Sequence, residues 1–212
     1  MLTVLPFDTH VQEYEAWFSH HPFVFKSEVE AIRDLLPPHV KNLRGLEIAA
    51  GTGRFMAELG IQEGIEPSPN MRALALKRGL EVLSAEASHL PYKDVSFDYA
   101  LMAFCISYFD DISAAFAEAR RILKLDGFLL VGFIEKNSLI GKYYESIRDS
   151  NIFYKQANFY TAKSVRSLLK QAGFRKFTTV QTLFHPLSEI NEFEPSKPGS
   201  DEGSFLVIKA YR

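Results

Sequence analysis

The chain begins with an apolar and aromatic stripe at helical spacing. Val11, Tyr14, Trp17 and Phe18 recur three and four residues apart, which predicts a helix over residues 9–19. Ser27-Glu28-Val29-Glu30 reads as a capping box that opens a second helix, with Val29, Ile32, Leu35 and Leu36 toward a core and Pro37-Pro38 as its stop. Beyond residue 42 the pattern changes to short apolar runs separated by helical ones. Strands are predicted over 43–48, 64–66, 80–84, 97–104 and 128–134, the last entered from a turn at Asp126-Gly127. Helices are predicted over 54–59, from the Ser68 cap with Pro69 at its first position to Gly79, and from the Asp111 cap, with Ala115, Phe116, Ala119 and Ile122 on one face. Thr161 opens a further helix that Gly173 ends, and two β-rich runs, 177–184 and 204–211, complete the chain.

Repeated strand–helix–strand units with short connections mean a doubly wound α/β domain, and continuous apolar runs such as 128–134 suit a sheet covered on both faces. Two stretches break the rhythm. Residues 135–160 are polar and aromatic and follow the fifth strand, at the sheet edge where open α/β folds bind ligands; they are expected to cover a substrate. Residues 185–203 carry three prolines and several acids, so a long connection is expected there. The whole chain, 1–212, reads as one domain: a helical lid over 1–40, a ligand-binding core over 41–134, the cover over 135–160, and the last helix and strands over 161–212.

Composition narrows the function classes. With 24 Lys+Arg against 26 Asp+Glu, the net charge of −2 lacks the basic footprint of a dedicated nucleic-acid binder. One cysteine, Cys105, gives neither an internal disulfide nor a thiolate zinc site, and the six scattered histidines lack metal-ligand spacing, so no metal is expected. No signal-like N-terminus and no apolar run of about 20 residues occur, which leads to the expectation of a cytoplasmic protein without a membrane span.

The chemistry sits in residues 46–55, Leu-Glu-Ile-Ala-Ala-Gly-Thr-Gly-Arg-Phe, where a buried strand ends in a glycine turn and enters a helix. Glycines there let a ligand approach the backbone closely. A phosphate-binding loop fails on spacing, because Gly141-Lys142 is followed by Tyr143. A dinucleotide fingerprint is weakened by Met56, which stands at its third glycine position. Glu66 follows Glu47 by 19 residues at the end of the second strand, where a carboxylate can accept from both hydroxyls of a ribose. Glu86 follows after a further 20 residues, at the far end of the crevice, with Ala87 beside it.

This arrangement resembles the class I S-adenosylmethionine-dependent methyltransferases, in particular the small-molecule branch that includes quinone C-methyltransferases. The resemblance implies a Rossmann-like, mostly parallel sheet of about seven strands, with an antiparallel C-terminal strand and an N-terminal helical extension. It implies S-adenosyl-L-methionine as cofactor, held by Glu47, Ala49, Ala50, Gly51 and Gly53 in the first motif, Glu66, Pro67 and Met71 in the second, and Glu86-Ala87 beside the adenine. Ala103 and Phe104 at the end of the fourth strand, and Tyr14 in a lid segment, complete the implied set. Arg121-Ile122-Leu123-Lys124-Leu125-Asp126-Gly127 resembles the family's helix-to-strand turn. Three departures stand out. Ala49 replaces the first glycine, which predicts φ < 0 there; Leu125-Asp126 replaces Lys-Pro; and Ile106-Ser107-Tyr108 replaces a histidine pair, leaving Tyr108 as the one candidate catalytic group.

The expected activity is methyl transfer to a small-molecule acceptor, with no nucleic-acid partner, since the region after the fourth strand, Ala103-Phe104-Cys105-Ile106, lacks the motif of base N-methylation. Two other classes compete: a non-catalytic binder of S-adenosylmethionine or S-adenosylhomocysteine, and an NAD(P)-dependent oxidoreductase. Neither the acceptor nor the oligomeric state is legible in the sequence.

Overall fold

The computed structural model describes residues 5–212. Strands β1 (Gly45–Ile48), β2 (Glu63–Ile65), β3 (Glu81–Leu83), β4 (Phe97–Ala103), β5 (Leu123–Ile134), β6 (Arg175–Thr182), β7 (Lys197–Pro198) and β8 (Phe205–Tyr211) form one sheet in the order β3-β2-β1-β4-β5-β8-β6-β7. The first five are mutually parallel, and β8 inserts antiparallel between β5 and β6. The Rossmann-like architecture is the expected one, with an eighth strand. Lys197-Pro198, inside the stretch expected to be a plain connection, pairs with Val180 and Gln181 at the sheet edge, where proline is tolerated.

Helices α1 (Leu5–Thr9), α2 (Val11–His20), α3 (Pro22–Arg33), α4 (Arg54–Leu59), α5 (Pro69–Lys77), α6 (Ile112–Ile122), α7 (Leu139–Ser146) and α8 (Ala162–Gln171) complete the fold. Alternation along β4 divides the core in two. Tyr99, Leu101 and Ala103 join Ile32 of α3 and Phe55 of α4 on one face, while Ala100 and Met102 join Phe116 of α6 and Val165 of α8 on the other. Truncating fully buried Phe116 to Ala would cost about 3–5 kcal/mol on the scale of large core deletions.

The local signals work as read at five helix ends. Ser68 accepts from the Met71 N–H, Asp111 from Ala114 and Thr161 from Ser164, and Gly79 and Gly173 lie past their helices in left-handed conformation. Three readings are corrected. Ser27 caps nothing: α3 already begins at Pro22, and the Ser27 hydroxyl donates to the Phe23 carbonyl and accepts from the Glu194 N–H. Asp126-Gly127 is not a turn but lies within β5. Gly127 is required there because a Cβ would come within 2.9 Å of both the Asp98 and Lys124 carbonyls, beside the register shift in the β4–β5 pairing. The helix expected over 9–19 starts at Val11 as α2, and a separate short helix, α1, precedes it.

From β1 the chain builds β2 and β3 to one side, and β4 and β5 to the other. This change of direction opens a crevice at the C-terminal ends of β1 and β4, the place where such sheets bind ligands.

Candidate functional site

A cavity of about 420 Å³ occupies that crevice, a size suited to small-molecule binding. Its base is the turn after β1. Ala49 (φ 58°), Gly51 (φ 57°) and Gly53 (φ 79°) are all left-handed there. The expectation of φ < 0 at Ala49 is therefore wrong. The Ala50 N–H donates to the Ile65 carbonyl (2.9 Å), so the chain turns sharply while tied to β2, and the residue before must take the left-handed region. For alanine this costs about 1–2 kcal/mol. Phe104, just after β4, is also left-handed (φ 61°) and is held by stacking on Phe205 at 4.9 Å. Such strain persists where the surroundings over-determine it, typically at ligand sites.

Most residues implied by the resemblance converge on this cavity: Tyr14, Ala49, Gly51, Glu66, Pro67, Met71, Glu86, Ala87, Ala103, Phe104 and Tyr108 all line it. Glu66 is buried, and its two oxygens accept from the Gly51 and Ser68 N–H groups, each at 2.8 Å. Burial raises its carboxyl above the ordinary range against the pull of those amides. Glu86 sits in a tight turn closed by the His89 N–H. Three implied residues lie off the wall. Glu47 is buried, with Oε2 unpartnered and its carboxyl raised by that burial; Ala50 faces β2; and a Cβ on Gly53 would meet Leu80 at 2.4 Å, so this glycine serves helix–sheet packing.

The N-terminal helices cover one mouth of the cavity. A Cβ on Gly51 would lie 3.4 Å from the Tyr14 hydroxyl, so Tyr14 stands directly over the turn. Glu15 ties α2 down by accepting from the Thr52 hydroxyl, from Arg54 (2.7 Å) and from Arg78 (2.6 Å). Asp8 ties α1 to the start of α5, accepting from the Ser68 hydroxyl (2.6 Å) and the Asn70 N–H (3.0 Å). Across the cavity, Phe153 reaches back to Phe7 (5.3 Å) and Tyr14 (6.3 Å), so the 135–160 segment and the N-terminal helices touch. Tyr108 is half-buried with its ring edge-on to Phe7 at 4.7 Å, and burial pushes its phenol far up, leaving a hydrogen-bond donor rather than a base.

Sequence reasoning missed Asp8, Glu15 and above all Glu28. Glu28 of α3 is 1% exposed and lines the cavity, its Oε2 without a hydrogen-bond partner and its carboxyl pushed well up by burial. The false capping box hid it, although a signal existed: Glu28 sits at i+4 from Val24 and i−4 from Ile32, in the middle of a buried stripe. Tyr144 and Tyr154 stack at 4.3 Å in the same part of the cavity. Among the described residues the cavity wall carries the carboxylates of Glu13, Glu28, Glu66, Glu86, Asp110 and Asp111, and no lysine, arginine or histidine.

A family model described as "Methyltransferase domain" matches residues 46–131. The chain is 45% identical to a S-adenosylmethionine-dependent methyltransferase of Thermotoga maritima, whose crystal structure names it a possible histamine N-methyltransferase. The match covers 98% of this chain and 99% of that one, with a TM-score of 0.94. An uncharacterized protein of Methanocaldococcus jannaschii is 37% identical over 204 residues, covering 96% of this chain and 97% of its own. A demethylmenaquinone methyltransferase of Chlorobaculum tepidum is 28% identical over 158 residues, 62% of this chain and 65% of its own. Motif order, strand order and these similarities agree: the chain belongs to the class I S-adenosylmethionine-dependent methyltransferases.

Proposed function

We propose that the protein transfers a methyl group from S-adenosylmethionine to a small-molecule acceptor. The observation that carries this reading is a single covered cavity with two differently built ends and a wall of carboxylates and aromatic rings free of cationic side chains among the described residues. The residues fit the cofactor. Glu66 has lone pairs left after its two amide bonds and lines the cavity, so it accepts from both ribose hydroxyls. Glu86 and Ala87 bound the adenine end, and Met71 and Pro67 lie between. The acidic wall suits a sulfonium, while the pyrophosphate of a dinucleotide would find carboxyl groups and no cationic side chain on the described wall, which argues against the oxidoreductase reading.

When bound, the cofactor supplies an electrophilic methyl whose transfer leaves the C–S electron pair on sulfur. The chain's part is alignment and exclusion of water. Holding two reactants in line supplies about 7–11 kcal/mol in favourable models. The helices over 5–20 and the segment over 135–160 are the cover, joined through Phe7, Tyr14 and Phe153. A small acceptor agrees with the names of the two relatives above, one acting on demethylmenaquinone and one a possible histamine N-methyltransferase. The decisive experiment is transfer of labelled methyl into a metabolite extract, with Glu66→Ala as control. Cofactor binding without transfer would turn the assignment into a binding protein, and absence of binding would overturn it.

A further inference from the structure

Resting on that reading, we infer that the acceptor carries a basic nitrogen and that Glu28 binds it as an ammonium, between the stacked Tyr144–Tyr154 pair and Phe18. The two buried carboxylates of the cavity differ in what they lack. Glu66 has a backbone amide on each oxygen, so its position is satisfied by the fold itself. Glu28 is more deeply buried and makes no comparable bonds; its Oε2 has no partner at all. A buried carboxyl without a partner costs about 1–3 kcal/mol; Glu47 bears that cost off the wall, whereas Glu28 bears it on the wall, where a ligand can supply the missing partner.

The surroundings specify that partner. Tyr144 and Tyr154 bring their phenols close enough to Glu28 for its charge to disfavour their ionisation. They bring ring faces as well, and Phe18, Phe159 and Ile134 line the cavity beside them. An acid set among aromatic faces, with no cationic side chain on the described wall, attracts an organic cation through both ion pairing and cation–π contact. A quinone has no donor to offer Oε2, and an alcohol can hydrogen-bond it but brings no charge to pair with the carboxylate. Burial raises the carboxyl of Glu28 and an ammonium beside it lowers it again, so entry of the cation favours loss of a proton to solvent.

The experiment is calorimetry on the full chain with S-adenosylhomocysteine present. Short arylalkylamines are compared with their alcohol counterparts: 2-phenylethylamine with 2-phenylethanol, tyramine with tyrosol, and tryptamine with tryptophol. At least one amine is expected to bind about tenfold or more tighter than its alcohol. Glu28→Gln is expected to reduce that gap to within about twofold while S-adenosylhomocysteine affinity stays within about twofold. The proposal falls if no amine exceeds its alcohol, or if the gap survives in Glu28→Gln. Should that variant fail to bind S-adenosylhomocysteine, wild-type titrations at pH 6 in buffers of different ionisation enthalpy decide. Release of a proton with the amine and none with the alcohol supports the proposal, and equal release overturns it. If S-adenosylhomocysteine does not bind the wild type, the methyltransferase reading fails, and the amine–alcohol contrast measured without it still judges Glu28.

Discussion

The two ends of the cavity use the same side chain in opposite ways. At the β2 end, Glu66 is locked by two amides and in turn fixes the turn after β1, so the carboxylate is part of the scaffold before any ligand arrives. At the α3 end, Glu28 is buried more deeply still but its Oε2 is unpaired, and rings rather than amides surround it. The first arrangement is satisfied by the fold itself, whereas the second leaves one oxygen unsatisfied. The difference shows that burial of an acid says little by itself. Its hydrogen bonds and its place on or off the wall have to be read together: Glu47 is as unpaired at Oε2 as Glu28 but faces no cavity.

The contrast can be broken most severely at Glu66. Glu66→Ala leaves the Gly51 and Ser68 amides without their acceptor, and is expected to weaken S-adenosylmethionine binding by about 1.5–3 kcal/mol, roughly 10- to 150-fold by calorimetry. Unchanged affinity would remove Glu66 from the site. Next comes Glu15, which fastens the helix spanning both ends. Glu15→Ala strips partners from Thr52, Arg54 and Arg78 and is expected to cost about 1–2 kcal/mol of cofactor affinity. Trp17, the only tryptophan and a wall residue, reports the looser cover as a smaller fluorescence change on binding. An identical change would mean that α2 is held by its rings alone.

A smaller effect is expected from Ala49→Gly, which relieves left-handed strain of about 1–2 kcal/mol but gives the unfolded chain more freedom. The net gain of about 0.5–1 kcal/mol should appear as a rise of about 1–4 °C in Tm, and a fall would show that the alanine methyl is needed for packing. The finest test is one of slope. Glu28, Glu47 and Glu66 ionise at higher pH folded than unfolded, because burial penalises their charge. Their contribution is complete below about pH 4.5 and is lost as pH rises toward the folded values. Glu28→Gln removes one of the three, so Tm should fall less between pH 5 and 8 than in the wild type. A parallel pair of curves would mean that Glu28 is not held protonated.

Much of the β2 end was legible because its signals are local. Strand, glycine turn and strand-end acid follow in order along one stretch of chain, and the caps at Ser68, Asp111 and Thr161 act within three residues of themselves. The α3 end was hidden because Glu28, Tyr144, Tyr154 and Phe18 come from distant parts of the sequence, and a local pattern at Ser27 suggested a helix start that Pro22 pre-empts. Gly53 illustrates the same limit in reverse. It stands in the motif, yet its contact is Leu80, a residue that only the folded sheet brings near.

What the sequence determined by itself was the alternation of elements, the doubly wound class, the β1 turn and the carboxylate that follows β2, because hydrophobic period, capping chemistry and glycine placement act over a few residues. Tertiary structure alone decided that Ala49 must be left-handed, that Glu15 and Asp8 fasten the N-terminal helices, and that Glu28 faces a cavity without a partner for Oε2. Each of these depends on groups far apart in the chain meeting at a fixed distance. Pairing and strain are properties of that meeting, and although the α3 stripe marks the burial of Glu28, no local pattern encodes its missing partner.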